Sequence, residues 1–177
     1  ASPLRDVYKR QEGTLAFIAE AVFRTVPISK LTTTTVAVFD DLTAATRSLP
    51  ALLDTGAATL ELMDSASIRV GQGFDKVPQA ITGFDVDKQA ALLIEYHADA
   101  EEELREKEGK GSQLLRELPL QSPAAFSADA ASRNTAWSFR KGLYAQVAEA
   151  RPSGTTALLE DIVVPVGDLA DTCSCLL

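Results

Sequence analysis

The sequence predicts an α+β domain, with a ferredoxin-like antiparallel or mixed sheet and helices packed on one face. Three observations carry this prediction. Short β-branched or apolar runs, Thr32–Phe39 and Ala90–Tyr96 foremost, read as strands. Longer segments with apolar residues at helical spacing lie between and after them. The two kinds alternate over 177 residues, of which 46% are apolar, a length and composition that suit one main core.

Glu12-Gly13-Thr14 reads as a turn, and Thr14–Val26 as extended chain ended by Pro27. Thr32–Phe39 is β-branched through its first half, which suits a strand better than a helix. Asp40 and Asp41 offer an N-cap to a helix carrying Leu42, Ala45, Leu49, Leu52 and Leu53, stopped at Gly56. Pro50 inside it predicts a kink or two shorter helices. Ala58–Leu62 reads as a short strand, followed by a small helix capped by Asp64 and ending near Gly71 and Gly73. Residues 73–87 have no clear period and read as an irregular excursion with one short helix.

Ala90–Tyr96 is the most compact apolar run and reads as the best buried strand. Asp99 is the expected cap of the next helix, whose Glu101–Arg105 and Glu103–Lys107 pairs mark an exposed face. Gly109 and Gly111 mark a break in it, and Pro119 ends it after Leu114, Leu115 and Leu118. A weak segment follows at Ala124–Ser127. From Asp129 a long helix runs to about Ala150, with Trp137, Phe139, Leu143, Tyr144 and Val147 facing inward. Pro152 and Gly154 stop it, and Thr155–Val164 reads as the last strand.

Composition excludes several function classes. A formal charge of -8, from 17 basic and 25 acidic side chains, argues against a nucleic-acid partner, which needs a clustered basic face. No apolar run reaches the roughly 20 residues of a membrane span. Cys173 and Cys175 are too close for a comfortable disulfide and too few for a zinc or iron–sulfur site. They fit a reducing compartment, and the protein is expected to be cytoplasmic, or peripheral to a membrane in its full-length form.

Arg140 is the leading candidate for chemistry. It stands three residues after Trp137 and four before Tyr144, so all three share one helix face. A guanidinium among aromatics offers a planar fork to a carboxylate. The alternative is an Arg whose stem packs while its head reaches water or a structural acid, and the residue pattern by itself favours that alternative. Lys141 points elsewhere and reads as a solvated charge.

Glu160 and Asp161 are adjacent on a strand and face opposite sides, so they form no acid/base pair alone; either can bridge to Arg140 or Arg151. Glu61 and Asp64 read as structural. His97 has no second ligand at metal spacing, and no Ser sits in a nucleophile elbow. Gly71-Gln72-Gly73 lacks the third glycine and the strand–helix frame of a dinucleotide motif and reads as a turn. Spacing alone yields no complete active site.

The run EGTLAFIAEAVFRTVP, from Glu12 to Pro27, resembles the end of the FAD-binding domain in the flavin-linked oxidases that include D-lactate, glycolate and D-2-hydroxyglutarate dehydrogenases. The remainder is similar to the same family's C-terminal substrate, or cap, domain: ATLELMD at Ala58–Asp64, ALLIEYHAD at Ala91–Asp99, AWSFRKGL from Ala136 and RPSGTTALLEDIVVPV from Arg151. The resemblance implies a cap domain over residues 28–172, with 12–27 closing the FAD-binding domain. It implies FAD as cofactor, with Glu12, Gly13 and Thr14 against the flavin, although Arg10-Gln11 stand where the family has Gly-Ser.

By resemblance, Arg140 in the Trp-x-x-Arg pattern takes the substrate carboxylate, with Tyr144 beside it. D-2-hydroxyglutarate dehydrogenases have a Thr and a Lys where this chain has Tyr144 and Leu159, a departure at the level of substrate detail. The family's catalytic His lies in a segment downstream of this chain. The RKGL and LLEDIVVPV motifs resemble larger members that carry an iron–sulfur module further on.

Asp6-Val7-Tyr8-Lys9-Arg10-Gln11 resembles a translated sequencing adapter, as does Cys175-Leu176-Leu177 on the opposite strand. Residues 1–11 and 173–177 are therefore expected to be foreign, and the chain a piece of a longer one. The expected function is that of an FAD-dependent dehydrogenase oxidising a small D-2-hydroxy acid by hydride transfer, with the electron acceptor left open. The competing reading is a stand-alone α+β module that binds an acidic metabolite and needs no flavin.

Overall fold

A computed structural model describes residues 19, 20, 22–149, 152–155 and 163–176. Its elements run β1 (Leu31–Phe39), α1 (Leu42–Asp54), β2 (Thr59–Met63), α2 (Ser65–Gly71), β3 (Ala90–Ala98), α3 (Glu101–Glu117), α4 (Ala130–Glu149) and α5 (Leu169–Leu176). The sheet order is β1-β3-β2, and β3 is antiparallel to both neighbours. The 120–127 segment runs along the other edge of β1 through isolated antiparallel bridges, Thr34 to Ser127 and Phe39 to Leu120. It lies beside β1 at the edge of the three-stranded antiparallel sheet, which is α+β as expected. Between them the Gln121 N–H donates to the Val38 carbonyl at 2.8 Å.

Local chemistry sets the elements. Asp41 caps α1, its Oδ1 accepting the Ala44 N–H at 2.8 Å, and Asp64 caps α2 in the same way through the Ser67 N–H at 2.8 Å. Pro50 does not split α1, which is one helix from Leu42 to Asp54. Ala45, Leu49 and Leu52, buried on both sides of the proline, hold it to the sheet across the missing hydrogen bond. Gly56, at φ 88°, supplies the left-handed turn into β2.

Two expectations at α3 fail. Its cap residue is Ala100, with no side-chain cap, while Asp99 Oδ1 accepts the backbone N–H of Lys30 at 3.2 Å. Glu101, Glu102 and Glu103 in the first turn compensate through the helix dipole. Nor do Gly109 and Gly111 break the helix, which continues to Glu117. Gly111 is there because the buried ring of Tyr96 lies where a Cβ would be.

The helices cover both faces of the sheet, where one was expected. On one face Ala37, Phe39, Leu92, Ile94 and Tyr96 pack with α1 residues Ala45, Leu49 and Leu52 and with Leu115 of α3. On the other, Val36, Val38, Met63, Ala91 and Leu93 pack with Ile68 of α2 and with Ala136, Phe139 and Leu143 of α4. The reason lies in β3: an apolar run without alternation buries both of its sides and needs two covers.

Two sequence-predicted strands fall on undescribed ground. Of Thr14–Val26, residues 14–18 and 21 lie outside the described residues, and the remainder forms no strand; Val22 and Phe23 are 91% and 83% exposed. Of Thr155–Val164, residues 156–162 lie outside the described residues, and Thr155, Val163 and Val164 are in no strand. The excursion over 73–87 carries one short 3-10 turn, Gln79–Ile81, as expected.

Candidate functional site

The sheet face beneath α4 is divided into two tiers. Val36, Val38, Leu93 and Met63 make its apolar half; Thr34, Glu95, His97 and Glu61 follow at alternate positions of the same strands and make its polar half. Helix α4 matches both. Ala136, Phe139 and Leu143 meet the apolar tier, while Arg133, Trp137 and Arg140, at spacings of four and three, meet the polar one.

Glu95 is the centre of the polar tier and is 1% exposed. Arg133 grips it with two bonds, Nε to Oε2 at 2.8 Å and Nη2 to Oε1 at 2.9 Å. Trp137 Nε1 and Thr34 Oγ1 each donate to Oε2 at 2.8 Å. His97 Nε2 lies 2.6 Å from Oε1. Burial pushes this carboxyl up, but the bonds from Arg133, His97, Trp137 and Thr34 outweigh it and hold the group at about 2. A carboxylate so fully engaged anchors α4 to β3.

Arg140 sits further along α4, where Nε and Nη2 both reach Glu61 Oε2 at 2.9 Å. The two side chains are 35% and 32% exposed. The acid that pairs with Arg140 is therefore Glu61 on β2. Glu160, Asp161 and Arg151, the other expected bridge members, lie outside the described residues. Among the described residues the ring of Trp137 carries Lys141, whose Nζ is 5.7 Å from the ring centroid, rather than Arg140. Lys141 is exposed, as expected of a solvated charge, and also approaches the Trp137 ring.

The remaining candidates divide clearly. Tyr144 lies on α4, but its side chain is outside the described residues, as are Glu12, Gly13 and Thr14. His97 serves Glu95, and no cluster of three or more His, Cys, Asp or Glu that could hold a metal occurs among the described residues. Gly71-Gln72-Gly73 is structural: Gly71 accommodates the Phe139 ring, and Gln72 Nε2 donates to the carbonyls of Ile81 and Phe84.

Sequence reasoning missed Glu95 and Arg133. The available signal was a lone Glu within AALLIEY, a charge no buried strand keeps without partners. No described helix is long and apolar enough to cross a membrane.

A cleft of about 730 Å³ lies between β1 and the 122–127 segment. Thr34, Gln79, Ser127, Ser132 and Thr135 are among its walls, none of its lining residues is charged, and Arg140 is not on it. Arg140 instead stands at the open end of the polar tier. Its guanidinium is paired with Glu61 and about one-third exposed, and no metal-holding cluster occurs beside it among the described residues.

The comparisons with known proteins give the family. Residues 28–176 match the family described as FAD linked oxidases, C-terminal domain, and the chain belongs to it. It is 25% identical over 176 residues to the glycolate oxidase subunit GlcD of Bacillus subtilis (strain 168). That match covers 95% of this chain and 34% of the relative, so the chain spans about a third of the relative's length.

The positions expected against a flavin, Glu12, Gly13 and Thr14, lie outside the described residues. None of the described helices begins in a glycine-rich strand-to-helix turn of the kind that cradles a pyrophosphate.

Proposed function

We propose that this chain forms the substrate-facing wall of an FAD-dependent dehydrogenase that oxidises a small D-2-hydroxy acid, with Arg140 taking the substrate carboxylate. Bound FAD would supply the acceptor for hydride leaving the α-carbon. Membership of the FAD-linked oxidase C-terminal family supports flavin dependence. The hydroxy-acid class is supported by the printed name of the relative, a glycolate oxidase subunit.

The observation that carries the role of Arg140 is its mode of attachment. Glu61 holds one edge of the guanidinium through Nε and Nη2, and the end bearing Nη1 has no partner among the described residues. A planar fork fixed along one edge and open at the other is pre-oriented for a carboxylate. Fixing the carboxylate in turn fixes the α-carbon, and such positioning contributes to rate as well as affinity.

The test is anaerobic addition of glycolate, D-lactate or D-2-hydroxyglutarate to the full-length protein carrying FAD. Bleaching of the oxidised flavin band by at least one of them is expected. A flavin that stays oxidised with all three, or a protein that takes up no flavin, contradicts the proposal.

A further inference from the structure

A free donor and a free acceptor stand side by side in the Arg140–Glu61 pair. Both guanidinium contacts, at 2.9 Å, fall on one carboxylate oxygen, Glu61 Oε2. The N–H bonds of Arg140 Nη1 and the lone pairs of Glu61 Oε1 have no partner among the described residues. Both side chains are about one-third exposed, at 35% and 32%, so a small molecule can reach them. Glu61 is also firmly seated, since Met63 on the same face of β2 is 2% exposed in the core beneath α4.

A 2-hydroxy acid carries the complementary pattern on adjacent carbons. Its carboxylate accepts, and its α-hydroxyl donates. A 2-oxo acid has the same carboxylate but replaces the hydroxyl by a carbonyl, an acceptor that would face the lone pairs of a carboxylate. We propose that Glu61 is a specificity-determining residue: Oε1 accepts a hydrogen bond from the α-hydroxyl of an acid held on Arg140, and the same oxygen disfavours the 2-oxo product. The inference rests on the carboxylate role of Arg140 given above and adds to it a reason for hydroxy acid to bind and oxo acid to leave.

D-Lactate, pyruvate and propionate differ only at the α-carbon and make the test. Their dissociation constants are measured by calorimetry on the full-length protein with FAD: D-lactate on the reduced flavin, pyruvate on the oxidised flavin, and propionate on both as the common reference. In the native protein D-lactate should bind tighter than propionate, and propionate tighter than pyruvate.

Glu61→Gln keeps the shape and the contact to Arg140 but offers an N–H₂ to the ligand. It should weaken D-lactate about tenfold, tighten pyruvate about tenfold and leave propionate within about twofold, as expected for exchanging one hydrogen-bonding partner at a half-open site. Glu61→Asp, which keeps the carboxylate, should preserve the native order of the three. Equal shifts for all three ligands in Glu61→Gln would make Glu61 an anchor for Arg140 only, and an unchanged lactate-to-pyruvate ratio would likewise overturn the proposal. Arg140→Gln separates the two readings: if it leaves propionate binding untouched, the carboxylate role of Arg140 falls, whereas failure of the Glu61 arm alone leaves that role standing.

Discussion

Arg133 on α4 closes on Glu95 of β3 through two parallel hydrogen bonds of 2.8 and 2.9 Å, thirty-eight residues apart in the chain. The pair ties the helix that carries Arg140 to the central strand of the sheet. It is a structural clamp for the candidate site.

Removing Arg133 leaves a buried carboxylate with its strongest partner gone. Arg133→Ala is expected to destabilise the domain by about 3 kcal/mol, the scale for breaking one side of a buried ion pair. Urea unfolding followed by circular dichroism measures it. A loss below about 1 kcal/mol would show that Trp137, His97 and Thr34 hold Glu95 without the Arg.

The same clamp predicts acid sensitivity. Folding lowers the Glu95 carboxyl from the ordinary 4.5 to about 2. A depressed carboxyl contributes stability above its unfolded value and loses it as pH falls toward its folded one, so the window is about 4.5 down to about 2. The shift corresponds to about 3 kcal/mol. Stability measured across that range should fall more steeply in the native protein than in Glu95→Gln, which has no proton to take up there.

Gly111 gives a packing prediction. A Cβ at this position would meet the ring and hydroxyl of Tyr96, a fully buried side chain. Gly111→Ala should therefore lower stability by about 2 kcal/mol despite its better helix propensity, because overpacking a rigid site outweighs that gain. Gly109→Ala, in open space on the same helix, should be neutral or stabilising. Thermal unfolding of the two variants side by side distinguishes them.

Much of this architecture was legible in local chemistry. The β-branched run of β1, the Asp41 and Asp64 caps and the position of β3 are visible in neighbouring residues, because strands and caps are decided over a few positions. The second covering layer was less so. AALLIEY is apolar on both sides, and that pattern asks for helices on both faces, but only tertiary packing shows that α2 and α4 provide the second.

The candidate site was legible in part. Trp137 and Arg140 stand out on the helix face, yet their partners Glu95 and Glu61 lie 42 and 79 residues away, beyond the reach of periodicity. Lys141 differs: it stands four residues after Trp137 on the same helix, so its approach to that ring is a local contact that spacing could have shown.

The central claim is that Arg140 holds the substrate carboxylate. It is tested most directly by the rate at which a 2-hydroxy acid reduces the flavin of the full-length protein, compared between the native form and Arg140→Gln at equal flavin content. The expected result is a fall in kcat/KM of about 100-fold, the scale of a lost charge-assisted contact in a binding site. An unchanged kcat/KM in a folded, flavin-loaded variant would contradict it.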